Sequence, residues 1–173
     1  STDCGHTENC LRNGESVSIA FSENCANAFV DGKIEKLSAN VICRNGYLHY
    51  DRTGSVRKRC LMAPAKDLCQ IFHIDIREED GSVIVLKLPD GRTAQFASGN
   101  ISCLINNRIH TMDMEAVTEK GILYLSVGWF CRTLLHREYT ECRETCYITD
   151  HYARLSGGMA YLIKNLLETT VSE

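Results

Sequence analysis

The sequence reads FVDGKIEKLSANVICRNGYLHY at residues 29–50 and LINNRIHTMDMEAVTEKGILYL at residues 104–125. The second stretch matches the first without a gap, because the same offset that places Leu104 opposite Phe29 holds to the end. Apolar residues stand opposite apolar residues and turn residues opposite turn residues, as in the pairs Phe29/Leu104, Gly32/Asn107, Ile34/Ile109, Gly46/Gly121 and Leu48/Leu123. A gap-free match of this length favours an internal repeat over a chance resemblance between alternating strands.

Dipeptides that favour positive φ punctuate these stretches and predict hairpin turns between short strands. Asp31-Gly32 and Asn106-Asn107 are the matched turns, because Asn tolerates positive φ better than most residues. Asn45-Gly46 is predicted as a further turn, with YLHY (47–50) as its return strand. The sequence DRTGSVRKRC (51–60) is predicted to be a basic connecting loop.

Apolar residues at helical spacing predict three helices, at AKDLCQIFHI (65–74), GWFCRTLLHRE (128–138) and MAYLIKNLLETT (159–170). The first two helices match at a smaller offset, with Cys131 opposite Cys69, so the first copy carries thirteen extra residues, which we assign to the basic loop. Gly157-Gly158 is predicted to break the chain before the last helix. That helix is expected to form its apolar stripe from Leu162, Ile163, Leu166 and Met159.

The repeating unit is therefore hairpin, strand, helix and strand. We expect an α+β fold in which antiparallel β-sheet units are duplicated, each packed on a helix, with a further helix at the C-terminus. The predicted organisation is an N-terminal extension (1–15), a first β-rich repeat (16–100), a second repeat (101–156) and the C-terminal helix (157–173).

Charge and hydropathy exclude two classes of partner. A net charge of −3 offers no electrostatic case for nucleic-acid binding, which requires a basic face. No apolar run approaches the ~20 residues of a spanning helix. The first residues, STDCGHTENC, lack the basic and apolar regions of a signal peptide, so any such peptide would already have been removed.

Ten cysteines are spread along the chain. An even number indicates a disulfide framework in an exported protein and metal or redox chemistry in a cytosolic one. The helical positions of Cys69 and Cys131 predict buried thiols, which pack as small hydrophobic groups. The pairing stays open among the disulfide candidates, which are Cys4, Cys10, Cys25, Cys43, Cys60, Cys103, Cys142 and Cys146.

A metal site is the weaker interpretation of one cysteine pair. Cys142 and Cys146 lie in CRETC, with His136 and His151 on either side, and thiolate and imidazole suit zinc. The spacing is not the short CxxC knuckle, and no second pair is present. Trp129 could stack on a ligand such as a sugar, although a partly buried position at a helix edge is favoured. No residue is assigned to catalysis or to a cofactor.

The segment CLINNRIHTMDMEAVTEKGILYLSVGWFCRTLLHREYTECRETCYITD (103–150) resembles the copper amine oxidase N-terminal-like domain, and residues 28–50 with 65–88 resemble a degenerate first copy. LPDGRTAQFASGN fits the family's hairpin between copies. Departures from the family pattern are LSVGWF where "VPLR" is usual, His136 in place of a helix-ending Gly, and the many cysteines.

The resemblance implies a stalk-like module of antiparallel sheets packed on a helix, without copper or the amine oxidase cofactor. Such domains accompany catalytic or cell-wall modules in bacterial exported proteins. We therefore expect a non-catalytic extracellular or cell-surface module that supports a neighbouring domain or contacts a cell-wall or surface partner. The alternative is a zinc protein or an enzyme that uses cysteine and histidine residues within 131–151.

Overall fold

The computed structural model describes residues 17–51, 54–80 and 82–171. The predicted N-terminal extension, with Cys4 and Cys10, lies outside these residues. The described chain consists mostly of antiparallel strands with three helices, which confirms the α+β class. Of the helices in the described ranges, none has the length and apolar character needed to cross a membrane.

Fourteen strands and three helices succeed one another along the described chain. The helices are α1 (Ala65–Ile71), α2 (Val127–Trp129, which continues as a π-helical turn over Phe130–Leu134) and α3 (Gly157–Val171). The strands are β1 (Ser18–Ser22), β2 (Asn27–Val30), β3 (Lys33–Lys36), β4 (Ile42–Asp51), β5 (Gly54–Pro64), β6 (Asp75–Glu79), β7 (Val83–Lys87), β8 (Thr93–Ala97), β9 (Ser102–Ile105), β10 (Arg108–Thr111), β11 (Val117–Glu119), β12 (Ile122–Ser126), β13 (Glu138–Cys142) and β14 (Thr145–Thr149).

These strands form three antiparallel sheets. Sheet 1 has the order β13-β14-β1-β2-β3, so strands from the two ends of the chain lie side by side. Sheet 2 has the order β6-β7-β8-β9-β10, in which strands follow their order along the chain. Sheet 3 has the order β11-β12-β5-β4 and joins two hairpins through the β12–β5 pair.

The chain divides into two compact units, one made of Ser1–Lys36 with Cys131–Glu173 and the other of Leu37–Phe130. The first unit contains sheet 1 and helix α3, and the second contains sheets 2 and 3 and helix α1. Each unit therefore draws its elements from both of the repeats that the sequence predicts, 16–100 and 101–156.

In the first unit, the neighbouring strands β1 and β14 of sheet 1 are buried on both faces, whereas β3 is mostly exposed. Alternation along β1 sends Ile19 and Phe21 to one face, where Ile148 of β14 is also buried. Helix α3 contacts β1, β2 and β14. It buries Leu167, whose carbonyl oxygen accepts a 3.2 Å hydrogen bond from Asn27 Nδ2.

In the second unit, sheet 2 buries one face, as its alternation predicts. Ile84, Leu86 and Leu88 are buried, whereas Val83 and Val85 are partly exposed and Lys87 is exposed. Sheet 3 supports a separate buried cluster made of Cys60, Met62, Met114 and Tyr124.

The Asn45-Gly46 turn and the basic loop are wrong predictions. Asn45 and Gly46 lie inside β4, where they pair with Arg59 and Lys58 of β5. Residues 54–60 of the predicted basic loop belong to β5, which begins at Gly54 and pairs with β4. Glycine is required at position 46 by close packing and not by a turn. Gly46 is buried, and a Cβ atom there would lie 2.4 Å from the backbone oxygen of Asp113.

The ends of two helices also differ from prediction. Gly157 and Gly158 form the first turn of α3 and do not break the chain. The second helix begins at Val127, where the Ser126 hydroxyl accepts a 3.4 Å hydrogen bond from Trp129 N, and its π-helical turn ends at Leu134. His136 then takes a positive φ of 56°.

Replacement of Gly46 by Ala tests the close approach inside β4. We expect Gly46→Ala to lower the free energy of unfolding by roughly 1–3 kcal/mol, because the added methyl group must displace backbone. The matched control is Gly158→Ala on α3, where a Cβ meets nothing within 4 Å. That control should raise stability by up to about 1 kcal/mol. Equal effects of the two substitutions in urea denaturation would contradict the assignment.

Candidate functional site

The two matched hairpin turns are confirmed. Asp31 and Asn106 have positive φ angles of 48° and 50°. The Asp31 Oδ1 atom accepts a 2.8 Å hydrogen bond from Ser18 N, and the Asn106 Oδ1 atom accepts a 2.9 Å hydrogen bond from Thr93 N. Each turn side chain therefore ties its hairpin to the neighbouring strand, which is a structural role.

An apolar surface lies along the outside of α3. The outer stripe, as we call it, consists of Met159, Leu162 and Leu166, which are 50%, 59% and 46% exposed. The helix instead buries Ala160 and Leu167. The predicted apolar stripe is therefore not the buried face of α3, since these three residues are exposed and line a groove beside sheet 1, and Ile163 is only partly buried.

A shallow groove runs beside the outer stripe. It has a volume of about 310 Å³ and lies between α3 and the sheet residues Ser18, Phe29 and Tyr147. The Ser18 hydroxyl and the Tyr147 phenol are 3.1 Å apart and share a hydrogen bond. The groove is mainly apolar, so it is suited to packing against another apolar surface.

A second apolar surface lies on sheet 2. The open face, as we call it, contains Val83, Gln95, Leu104 and Ile109, which border a depression of about 290 Å³. Ile109 is 76% exposed, the highest value among the exposed large hydrophobic residues of the described chain. Both apolar surfaces were missed by sequence reasoning, since periodicity identifies an apolar stripe but does not indicate which stripe is covered.

The candidate metal ligands do not converge. In the β13–β14 hairpin Cys142 pairs with Thr145, whereas Cys146 pairs with Glu141. Directly opposed residues share a face and successive residues alternate, so the two thiols project to opposite faces. In the described ranges, no group of three or more His, Cys, Asp or Glu side chains could hold a metal ion.

The two histidines of that candidate set are on the surface. His136 is exposed, and His151 places its Nδ1 atom 2.9 Å from the Asp150 carboxylate. Cys146 is fully buried and its neighbours include the Tyr139 side chain. The structure therefore separates exposed imidazoles from a buried thiol.

Burial keeps the interior thiols protonated. It raises the pKa of the Cys69 thiol to about 12 and that of Cys103 to about 11. Burial, aided by the Glu141 carboxylate, raises the pKa of Cys146 to about 12. Burial, with Cys146 nearby, also raises the pKa of Cys131 well above its ordinary value. The thiolate is the reactive form of cysteine, so these four residues are poor nucleophiles at neutral pH.

No disulfide bond is seen in the part of the chain that the structure describes. Cys69 and Cys131 are buried thiols, as predicted. The half-buried Cys43 accepts a 3.1 Å hydrogen bond from Arg59 Nε. Pairing among the disulfide candidates stays a prediction, and Cys4 and Cys10 lie outside the described residues.

Trp129 is only 7% exposed, so it is not available for stacking on a ligand. Its ring packs edge-on against Phe96, with centroids 6.0 Å apart. Asp67, which the sequence match places opposite Trp129, is also buried, and sequence reasoning missed its structural role. The Asp67 carboxylate accepts 2.8 Å hydrogen bonds from the backbone N and the hydroxyl of Ser38.

Comparisons of the chain with protein-family models, with curated proteins and with solved structures find no match.

The buried thiols predict how stability depends on pH. Unfolded thiols ionise near pKa 9.0, whereas folded Cys69 and Cys146 keep their protons until about pH 12. The unfolded state therefore loses protons first, and the free energy of unfolding should fall as pH rises from about 9 towards 12. Urea denaturation at several pH values measures this slope. Cys69→Ala should flatten it, and the control Ser82→Ala, which removes no thiol, should not; equal slopes in all three proteins would contradict the prediction.

Proposed function

We propose that this chain is a duplicated, non-catalytic structural and binding module that supports a neighbouring domain or contacts a cell-surface partner. The observation that carries the proposal is that sheets 1 and 2 have equivalent strand orders and equivalent pairing registers. The matched turn residues Asp31 and Asn106 and the matched thiols Cys69 and Cys131 have structural roles in both copies.

Strand positions support the duplication. The starts of β8, β9 and β10 follow those of β1, β2 and β3 at one constant offset, which is the offset that places Leu104 opposite Phe29. The start of α2 follows that of α1, and the start of β14 follows that of β7, at the smaller offset that places Cys131 opposite Cys69. These correspondences define repeats of seven strands and one helix each, β1–β7 and β8–β14, which meet in the loop at residues 88–92.

The pairing register of the strands also supports the duplication. In sheet 1, Ser18 pairs with Thr149 and Ile19 with Ile148. In sheet 2, the matched residues Thr93 and Ala94 pair with Lys87 and Leu86. Each sheet thus combines the last hairpin of one repeat with the first three strands of the other, and sheet 3 combines the two middle hairpins.

Local backbone features recur near the same places. The backbone oxygens of the matched residues Cys69 and Cys131 accept 2.8 Å hydrogen bonds from Ile74 N and Arg137 N. His73 and His136 take positive φ angles of 59° and 56°. Both correspondences are displaced by one residue from the offset that places Cys131 opposite Cys69, so they support the duplication less closely than the strand starts do.

The functional part of the proposal draws on the family resemblance and on the two apolar surfaces. A protein of this size with an apolar helix stripe and an apolar sheet face uncovered is typical of a module that associates with something else. The exported, bacterial location is supported by the resemblance to copper amine oxidase N-terminal-like domains and by the cysteine content, and not by any disulfide bond. Protonated interior thiols and separated histidines favour this function over the zinc or enzyme alternative.

Surface labelling tests the functional proposal. The full-length gene product, carrying an epitope tag, is expressed in its host with residues 1–173 present or deleted. Labelling of intact cells with a membrane-impermeant biotin reagent should reach the tagged protein, and deletion should reduce its retention at the surface or its assembly with a neighbouring domain. Labelling only after lysis, or unchanged retention on deletion, would contradict the proposal.

A circular permutant tests the duplication. Because β14 meets β1 as β7 meets β8, the chain should tolerate new ends between Pro89 and Asp90 when the old ends are joined by a glycine–serine linker. We expect native circular dichroism and cooperative unfolding, at a cost of roughly 1–3 kcal/mol for the lost turn hydrogen bonds. A control opened between Tyr124 and Leu125, inside β12, should not fold. Failure of the first permutant to unfold cooperatively would count against the equivalence of the two sheets.

A further inference from the structure

Helix α3 has no counterpart in the first repeat, and this difference leaves one sheet face uncovered. In sheet 1, α3 packs across β14, β1 and β2, against a face that includes Phe29 and Tyr147. The matching strands of sheet 2 are β7, β8 and β9. On the proposed duplication, on which this inference rests, the residues that match Phe29 and Tyr147 are Leu104 and Val85. The open face of sheet 2 therefore has apolar residues at the positions where the matching face of sheet 1 packs against α3.

The outer stripe of α3 has the dimensions that this face requires. Met159 and Leu166 are seven residues apart, which is about 10 Å of helix. The five residues of β7, Val83–Lys87, extend over roughly 13 Å, so the stripe fits along this strand between its two charged ends. Leu162 lies midway along the stripe and is 59% exposed, and Ile109 on the open face is 76% exposed. Both surfaces are apolar, and neither is covered within its own compact unit.

Charges at the margins of the two surfaces are complementary. The exposed Arg154 precedes the stripe and the exposed Glu168 follows it. On sheet 2 the exposed Glu79 pairs with Val83 at one end of β7, and the exposed Lys87 lies at the other end. A helix laid along the face in one direction would place opposite charges near each other at both ends, which would favour that direction.

We propose that a second copy of this chain docks the outer stripe of its α3 on the open face of sheet 2. The two contacting surfaces are different, so the interface is heterologous, and copies would add head to tail. One contact explains both uncovered apolar surfaces. It also assigns the module's partner: another copy of the same module.

Self-association of the full 173-residue chain tests this inference. Sedimentation velocity over a dilution series should reveal concentration-dependent association. Leu162→Lys, on the stripe, and Ile109→Lys, on the open face, should each weaken it by at least about tenfold, because a charge would enter an apolar contact. Both residues are exposed, so each variant should keep its thermal transition. The matched control is Ile34→Lys on sheet 1, which should associate as the wild type does.

A mixture of the two variants decides between interface types. Leu162→Lys retains the open face and Ile109→Lys retains the stripe, so one molecule of each should form a dimer that cannot grow. Recovery of dimers without longer assemblies supports the proposal. A wild-type chain that stays monomeric at every concentration overturns it, and so does a mixture that fails to associate. An Ile109→Lys variant that still dimerises by itself, as expected for helix-to-helix dimers, overturns it as well. None of these failures alters the circular permutant result, which tests the duplication separately.

Discussion

The pairing of β1 with β14 is the interaction on which the rest of the structure depends. It joins five residue pairs, from Ser18↔Thr149 to Ser22↔Thr145, across most of the chain. Closing so long a loop is entropically costly, and the cost must be offset by burial on both sides of the new sheet. One side holds Phe21 and Cys146, and the other receives α3, which contacts both strands. Without this pairing, α3 would lose the sheet surface on which it packs.

Burial also determines the chemistry of the cysteines. A thiol inside an apolar core acts as a small hydrophobic group, and the surrounding protein disfavours its charged form. Cys69, Cys131 and Cys146 are therefore packing residues at neutral pH. Their number suggests reactivity in the sequence, but the structure places His136 and His151 on the surface and buries the Cys146 thiol. This separation favours a module that works through its surfaces.

Local features could be predicted from the sequence, and features that depend on distant contacts could not. The Asp31 and Asn106 turns were found because positive φ is a local requirement. Gly46 was misread as a turn because its requirement is a close approach to the Asp113 backbone. The last helix was found from its periodicity. Which face it buries depends on sheet 1, and that face is marked only by Ala160 and Leu167.

The candidate site shows the same division. The CRETC hairpin could have been read further, since alternation across a two-residue turn already sends Cys142 and Cys146 to opposite faces. The burial of Trp129 against Phe96 required knowledge of sheet 2, which no local pattern supplies. The open face could not be predicted without the strand order, because only that order shows which strands of sheet 2 lie side by side.

Cross-strand nuclear Overhauser effects in the isotopically labelled protein test the central claim, that one sheet is built twice, most directly. The account predicts contacts from Ile19 to Ile148 and from Ala94 to Leu86, which occupy matched positions in the two sheets. Detection of both contacts, one in each sheet, would support the claim. Contacts from Ala94 to Leu86 without contacts from Ile19 to Ile148 would contradict it, because sheet 1 would then not be closed by the ends of the chain.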